Sequence, residues 1–223
     1  MGHYLAVKSV VHSFGAKKVL DEVRFECNTG DIIGLFGRNG AGKSTLFNIL
    51  FGTLKPNAME IYIDGKLFEP SKEQGKLIGY HTQGVMLPRL SKVSDIISMY
   101  LPLHKQDEVC FAPGVNEMHY KRIHELSLGQ QRYLQFLLIL GLDHPFMILD
   151  EPFSMVEPLY KNLIKEKLLA KRADKGILIS DHYYRDILDI ADKSLLLKDG
   201  TLITIQNNQE LIDLGYLSVQ AVL

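Results

Sequence analysis

Residues 31–52 read DIIGLFGRNGAGKSTLFNILFG, and three kinds of local chemistry follow one another along them. The opening DIIGLF is short and almost wholly apolar, the composition of a strand buried on both faces. Next come Gly37, Arg38, Asn39, Gly40, Ala41, Gly42, Lys43, Ser44 and Thr45, a glycine-rich loop that ends in a cation and two hydroxyls. LFNILFG then places its apolar residues on one side of a helix. Strand, loop and helix in this order make an anion cradle. The glycines let the backbone curl until its N–H groups point inward, and the helix start adds unpaired N–H groups and the positive end of its dipole. Lys43 brings a cation to the β and γ phosphates of a nucleotide, and Ser44 offers a hydroxyl to Mg²⁺, which prefers oxygen ligands.

Upstream, YLAVKSV alternates, and in VRFEC the residues Val23, Phe25 and Cys27 share one face, the pattern of antiparallel strands with one covered side. Downstream, IYIDGKLF carries Asp64-Gly65 between two β-rich runs, a hairpin signal because both residues tolerate positive φ. Residues 1–80 are therefore expected to be strand-rich with one helix. Over 84–125 the pattern changes. Ile96, Ile97, Tyr100 and Leu101 follow helical spacing, with Ser94-Asp95 as the expected cap and Pro102 as the limit; this segment reads as a small helical insertion. Beyond it, a helix over 129–142, a strand over 146–149, a helix over 158–173 and a strand over 177–180 alternate as in a parallel sheet covered on both faces. The last twenty residues read as a short strand and a helix.

Composition narrows the function. The chain of 223 residues is long enough for one α/β domain, with or without a small inserted subdomain. Its 25 basic and 26 acidic residues leave a net charge of -1, so no global field draws it to nucleic acid or to an acidic membrane surface. Cys27 and Cys110 have no metal-ligand spacing, which fits a reducing compartment and two packed thiols. The apolar run FLLILGL falls well short of the ~20 residues that span a bilayer. MGHYLA lacks the layout of a signal peptide, and Ala6 stands where a myristoylation site needs Ser or Thr.

Three further groups belong at the carboxyl edge of the parallel sheet, where the phosphate loop opens. FMIL ends in Asp150-Glu151: Asp150 suits Mg²⁺ through a water ligand, and Glu151 is placed to accept a proton from an attacking water. ILIS ends in Asp181-His182, which sets His182 to contact the γ phosphate or to hold the water and Glu151. Gln83 closes the strand IGYHTQ at the entry to the 84–125 segment, a position from which it can sense metal and nucleotide. The remaining histidines, His81 among them, read as surface or packing residues.

Together these residues resemble one family, the ATP-binding cassette ATPases, over nearly the whole chain and in the family's order. GRNGAGKST is similar to the Walker A loop, Gln83 to the Q-loop, LSLGQ (Leu126 to Gln130) to the signature, FMILDE to the Walker B strand with its catalytic glutamate, SMVE (Ser154 to Glu157) to the D-loop and His182 to the switch histidine. Phe14, in HSFG, matches the aromatic platform that stacks on adenine. The resemblance implies an α/β fold: a P-loop NTPase core with a parallel sheet, an N-terminal antiparallel β subdomain and an inserted α-helical subdomain, all in one cassette domain over 1–223. It implies ATP and Mg²⁺ as cofactors, with Gln83 beside Ser44 and Asp150 at the metal. It also implies pairing with a second cassette, identical or a paralogue, so that Ser127, Gly129 and Gln130 of one chain face the nucleotide held by the other. Two positions depart from the family pattern: Leu128 replaces the first glycine of the usual LSGGQ, and Glu157 replaces the D-loop aspartate.

The resemblance therefore implies a nucleotide-binding subunit of a membrane transporter, cytoplasmic and held at the inner face of the cell membrane by separate transmembrane subunits. Neither a long coiled-coil insertion nor a second cassette is present, features of family members that act on DNA or ribosomes, so nucleic acid is not an expected partner. The compact insertion and the lack of a C-terminal regulatory extension point toward export. The competing expectation is a slowly hydrolysing ATP switch with a soluble partner, motivated by Leu128 and Glu157.

Overall fold

The computed structural model describes residues 2–217. In chain order the strands and helices are β1 (Tyr4–Phe14), β2 (Lys17–Leu20), β3 (Phe25–Asn28), β4 (Ile32–Phe36), α1 (Lys43–Phe51), β5 (Ala58–Ile63), β6 (Lys66–Leu67), β7 (Ile78–His81), α2 (Val93–Tyr100), α3 (Leu103–Cys110), α4 (Leu128–Gly141), β8 (Phe146–Asp150), α5 (Pro158–Lys171), β9 (Gly176–Ser180), α6 (Tyr184–Leu188), β10 (Lys193–Lys198), β11 (Thr201–Ile205) and α7 (Asn208–Asp213). One sheet is antiparallel, in the order β2-β1-β5-β6, with β3 also pairing with β1. Its alternation is that of the sequence, Phe25 and Cys27 turning inward and Glu26 and Asn28 outward. The β5–β6 hairpin turns at Asp64 and Gly65, both at positive φ.

The second sheet runs β11-β10-β4-β9-β8-β7. All its neighbours are parallel except β11, which returns antiparallel to β10. β4, β8 and β9 are buried along their whole length, as their unbroken apolar composition requires. Because these strands point the same way, the segments leaving β4, β7, β8 and β9 emerge at one edge.

Helix α1 fills the space between the two sheets. Leu46, Phe47, Ile49 and Leu50 are buried there among Leu5, Val7, Ile61, Ile148 and Leu178, each worth about 1.5–3 kcal/mol of burial. Glycines in the left-handed region bracket the helix, Gly42 at φ 109 and Gly52 at φ 94. A Cβ on Gly42 would stand 2.8 Å from the Val19 side chain, and one on Gly52 only 2.3 Å from the Pro70 carbonyl oxygen. A second core, including Tyr133, Phe136, Phe153 and Ile164, joins α4 and α5 to the other face of the parallel sheet.

Several local expectations shift. Helix α2 starts at Val93 with Lys92 as its N-cap, so Ser94 and Asp95 lie inside the first turn and do not cap it. Pro102 limits α2 and is also the N-cap of α3, a helix whose mixed composition hid it. β7 stops at His81, leaving Gln83 beyond the strand, and 172–174 form a short 3-10 turn after α5. Helix α6, five residues long, is too short for periodicity to reveal. The expected C-terminal strand and helix correspond to β11 and α7, while 218–223 lie outside the described residues. Cys27 is buried and Cys110 half-buried, both as free thiols. Among the described residues no helix is long and apolar enough to cross a membrane.

Candidate nucleotide site

A cleft of about 490 Å³ opens at the shared edge of the parallel sheet. Asn39, Gly40, Gly42, Lys43, Ser44 and Thr45 line it together with Phe14, Gln83, Asp150, Glu151 and His182. The loop after β4 curls with Gly37 at φ 156, Gly40 at φ 78 and Gly42 at φ 109. The first turn of α1 presents N–H groups that have no partner within the helix. Lys43 Nζ donates to the carbonyl oxygens of Gly37 at 2.6 Å and Arg38 at 3.3 Å, which folds the ammonium over the loop. Burial lowers the lysine's pKa, and the carboxylates of Asp150 and Glu151 oppose that shift.

Asp150 ends β8 and is only 5% exposed. Burial raises its pKa above the ordinary carboxylate value, while a hydrogen bond from the Ser44 hydroxyl works the other way. The Tyr80 hydroxyl donates to its Oδ2 at 3.3 Å. Ser44 and Asp150 thus form a hydroxyl–carboxylate pair of the kind Mg²⁺ takes together with waters and phosphate oxygens. Among the described residues no group of three or more His, Cys, Asp or Glu forms a metal cage, and a phosphate-completed Mg²⁺ site needs none. The donor set fits that ion.

Glu151 sits at φ 55, a conformation that costs a non-glycine residue about 1–2 kcal/mol. Its N–H donates to the Ser180 carbonyl at 2.7 Å. The backbone turn brings the carboxylate between three groups: His182 Nε2 lies 2.9 Å from Oε1, and Gln83 Nε2 and Ser154 Oγ lie 2.7 and 3.2 Å from Oε2. Asp181 supports the same corner by accepting from the N–H groups of Phe153 at 2.7 Å and Tyr183 at 3.0 Å. Burial raises its pKa. A carboxylate so oriented, beside a phosphate cradle, can accept a proton from water. Phe14, 55% exposed, presents a ring to the cleft and is braced edge-on by His12 at 4.6 Å.

The signature residues are placed elsewhere. Ser127 is the N-cap of α4: its hydroxyl accepts from Gln130 N–H at 3.2 Å, and Gln130 Oε1 accepts from Ser127 N–H at 3.0 Å. Gly129 packs against the D-loop backbone, where a Cβ would stand 3.3 Å from the Met155 carbonyl oxygen. None of Ser127, Gly129 and Gln130 lines the cleft, and neither do Gly37 and Ala41. Tyr80 and the supporting part of Asp181 are hidden in the sequence, because Tyr80 bonds a residue 70 positions away and Asp181 holds Phe153, 28 positions away.

The sequence profile of the ABC transporter family matches residues 20–154. The chain belongs to the ABC transporter family. As an ABC ATPase it is an ATP-binding component of a transporter. The chain is 28% identical to the lipopolysaccharide export system ATP-binding protein LptB of Acidithiobacillus ferridurans, over 96% of this chain and 94% of that protein. It is also 28% identical to a probable sulfate/thiosulfate import ATP-binding protein, CysA, of Chlorella vulgaris, over 94% and 93%. Among solved structures, an ATP-binding subunit of an ABC transporter superposes with a TM-score of 0.83 at 21% identity, covering 96% of this chain and 95% of that one. That likeness concerns the fold.

Proposed function

We propose that the chain is the Mg²⁺-dependent ATPase subunit of a membrane transporter and works as one cassette domain over 1–223, with 84–125 as its movable helical part. The observation that carries this reading is the Glu151 carboxylate, held by Gln83, Ser154 and His182 at the mouth of the Lys43 loop. Lys43 and the N–H groups of 39–45 bind the phosphates, and Phe14 stacks on the adenine. Ser44, Asp150 and Gln83 would hold Mg²⁺, which when bound would supply positive charge against the phosphates. Glu151 takes the proton of the attacking water, with His182 and Gln83 keeping the carboxylate aimed.

The separation of Ser127, Gly129 and Gln130 from the cleft supports a composite site, in which the α4 start of one cassette completes the nucleotide site of a second. The Ser127 hydroxyl spends a lone pair on its cap and keeps its proton to donate. A largely apolar groove of about 290 Å³, with Phe51, Tyr80, Met86, Tyr100 and Leu138 on its walls, lies where 84–125 meets the core. It suits a helix of a separate transmembrane subunit, and that attachment would keep the cassette at the cytoplasmic face. We assign the direction as export, on the compactness of 84–125; relatives named for export and for import are equally similar to the chain.

The test is purification from native membranes with a tag on this chain. A multi-span protein in fixed proportion to the cassette is expected. Lys43→Ala should retain that partner while binding ATP about 10- to 100-fold more weakly, the scale of a lost charge-assisted hydrogen bond. A soluble partner without any membrane protein contradicts the reading.

A further inference from the structure

Arg132 lies in α4, one turn beyond the Ser127 cap, and is 4% exposed. Its guanidinium leaves the helix in two directions: Nη1 donates to the carbonyl oxygen of Ser154 and Nη2 to that of Gln83. These are the same two residues whose side chains meet Glu151 Oε2, Gln83 through Nε2 at 2.7 Å and Ser154 through Oγ at 3.2 Å. One buried group therefore holds the main chain behind both arms that grip the carboxylate. Gln135, three residues on and on the same helix face, extends the hold. Its Oε1 accepts from Met86 N–H at 2.7 Å, and its Nε2 donates to the Gly84 carbonyl at 3.1 Å.

Burial of a cation is costly unless hydrogen bonds and nearby opposite charge compensate it. Here two carbonyl oxygens supply the bonds, while the negative charges of Glu151, Asp181 and Asp150 favour the guanidinium against its desolvation. The planar fork holds its two N–H donors in fixed, diverging directions, whereas a lysine in this place is a point charge on a flexible stem. We propose that Arg132 is a positioning residue for ATP hydrolysis, whose grip on the Gln83 and Ser154 carbonyls aims the Glu151 carboxylate and ties it to the start of α4, where Ser127 and Gly129 lie. The proposal rests on Glu151 being the proton acceptor.

The experiment compares the parent chain with Arg132→Lys and Arg132→Met, each alone and with Ser154→Ala, measuring kcat, ATP affinity and Tm in the transporter assembly. Loosening the carboxylate by a fraction of an ångström is expected to lower kcat by about fivefold or more while ATP affinity stays within about threefold. In the Ser154→Ala background, where one arm is already gone, the further loss should be smaller than in the parent. A kcat loss below about fivefold, an equal loss of ATP affinity, or full additivity with Ser154→Ala overturns the proposal. If Arg132→Met does not fold, Arg132→Lys decides, because it keeps the charge and most of the volume. Glu151→Gln, assayed alongside, separates the two levels. Turnover surviving in that variant defeats the reading of Glu151 itself, whereas turnover lost there but kept in Arg132→Lys defeats only the inference about Arg132.

Discussion

Leu128 stands where the ABC signature usually has glycine, and two physical reasons could require glycine there: positive φ or close approach of backbone to a ligand. The first does not apply. Ser127 is the extended N-cap and Leu128 the first helical residue of α4, outside the set of positive-φ residues. Leu128 is 47% exposed, next to the exposed Ser127, so obstruction of a partner's nucleotide is the reason that remains. Leu128→Gly is therefore expected to raise kcat for ATP in the paired assembly. Its cost in stability should be at most the ~1 kcal/mol of a glycine within a helix, about 2–4 °C in Tm. Steady-state ATPase and a thermal melt check both, and an unchanged kcat would mark the leucine as a harmless surface residue. Glu157 is likewise an N-cap, of α5, without a side-chain capping bond. At this scale the sequence was legible wherever chemistry is written in adjacent letters, as in GRNGAGKST or LDE. It was silent on Tyr80 and Arg132, whose partners lie 70 residues away for Tyr80, and 22 and 49 for Arg132.

At the scale of elements, buried strands and amphipathic helices were readable because burial on two faces demands unbroken apolar composition. Boundaries were less so. Ser94-Asp95 looks like a cap, but the chain reaches α2 through the bridge between Lys92 and Arg122, which sets the helix start earlier. β7 shows how an element constrains a titratable group. His81 pairs with Leu149 of β8 and is fully buried, its Nε2 lying 3.4 Å from the Arg132 carbonyl oxygen. Burial pushes its pKa down from 6.5 to about 4. The unfolded chain therefore binds the extra proton first, and stability falls as pH drops from 6.5 toward 4, by about 3 kcal/mol in total. His81→Leu is expected to flatten the Tm–pH profile across that window relative to the parent. Parallel profiles would show that His81 does not contribute.

For the whole molecule, what matters is that one edge of one sheet receives the ends of β4, β7, β8 and β9. The phosphate loop, Gln83, Asp150-Glu151 and His182 converge there although they are spread across most of the chain. A parallel order made this inferable from sequence, since every buried strand must deliver its last residues to the same side. The placement of Ser127 and Gly129 away from the cleft could be expected only through family resemblance, because no local pattern encodes the surface at which the proposed second cassette would dock. The reading of the cleft depends above all on Glu151 accepting the proton of the attacking water. Its most direct test is ATP turnover by Glu151→Gln with Mg²⁺ present, at saturating ATP. Turnover should fall more than about tenfold, roughly 1.4 kcal/mol or more of barrier, while ATP stays bound; turnover within about tenfold of the parent would contradict it.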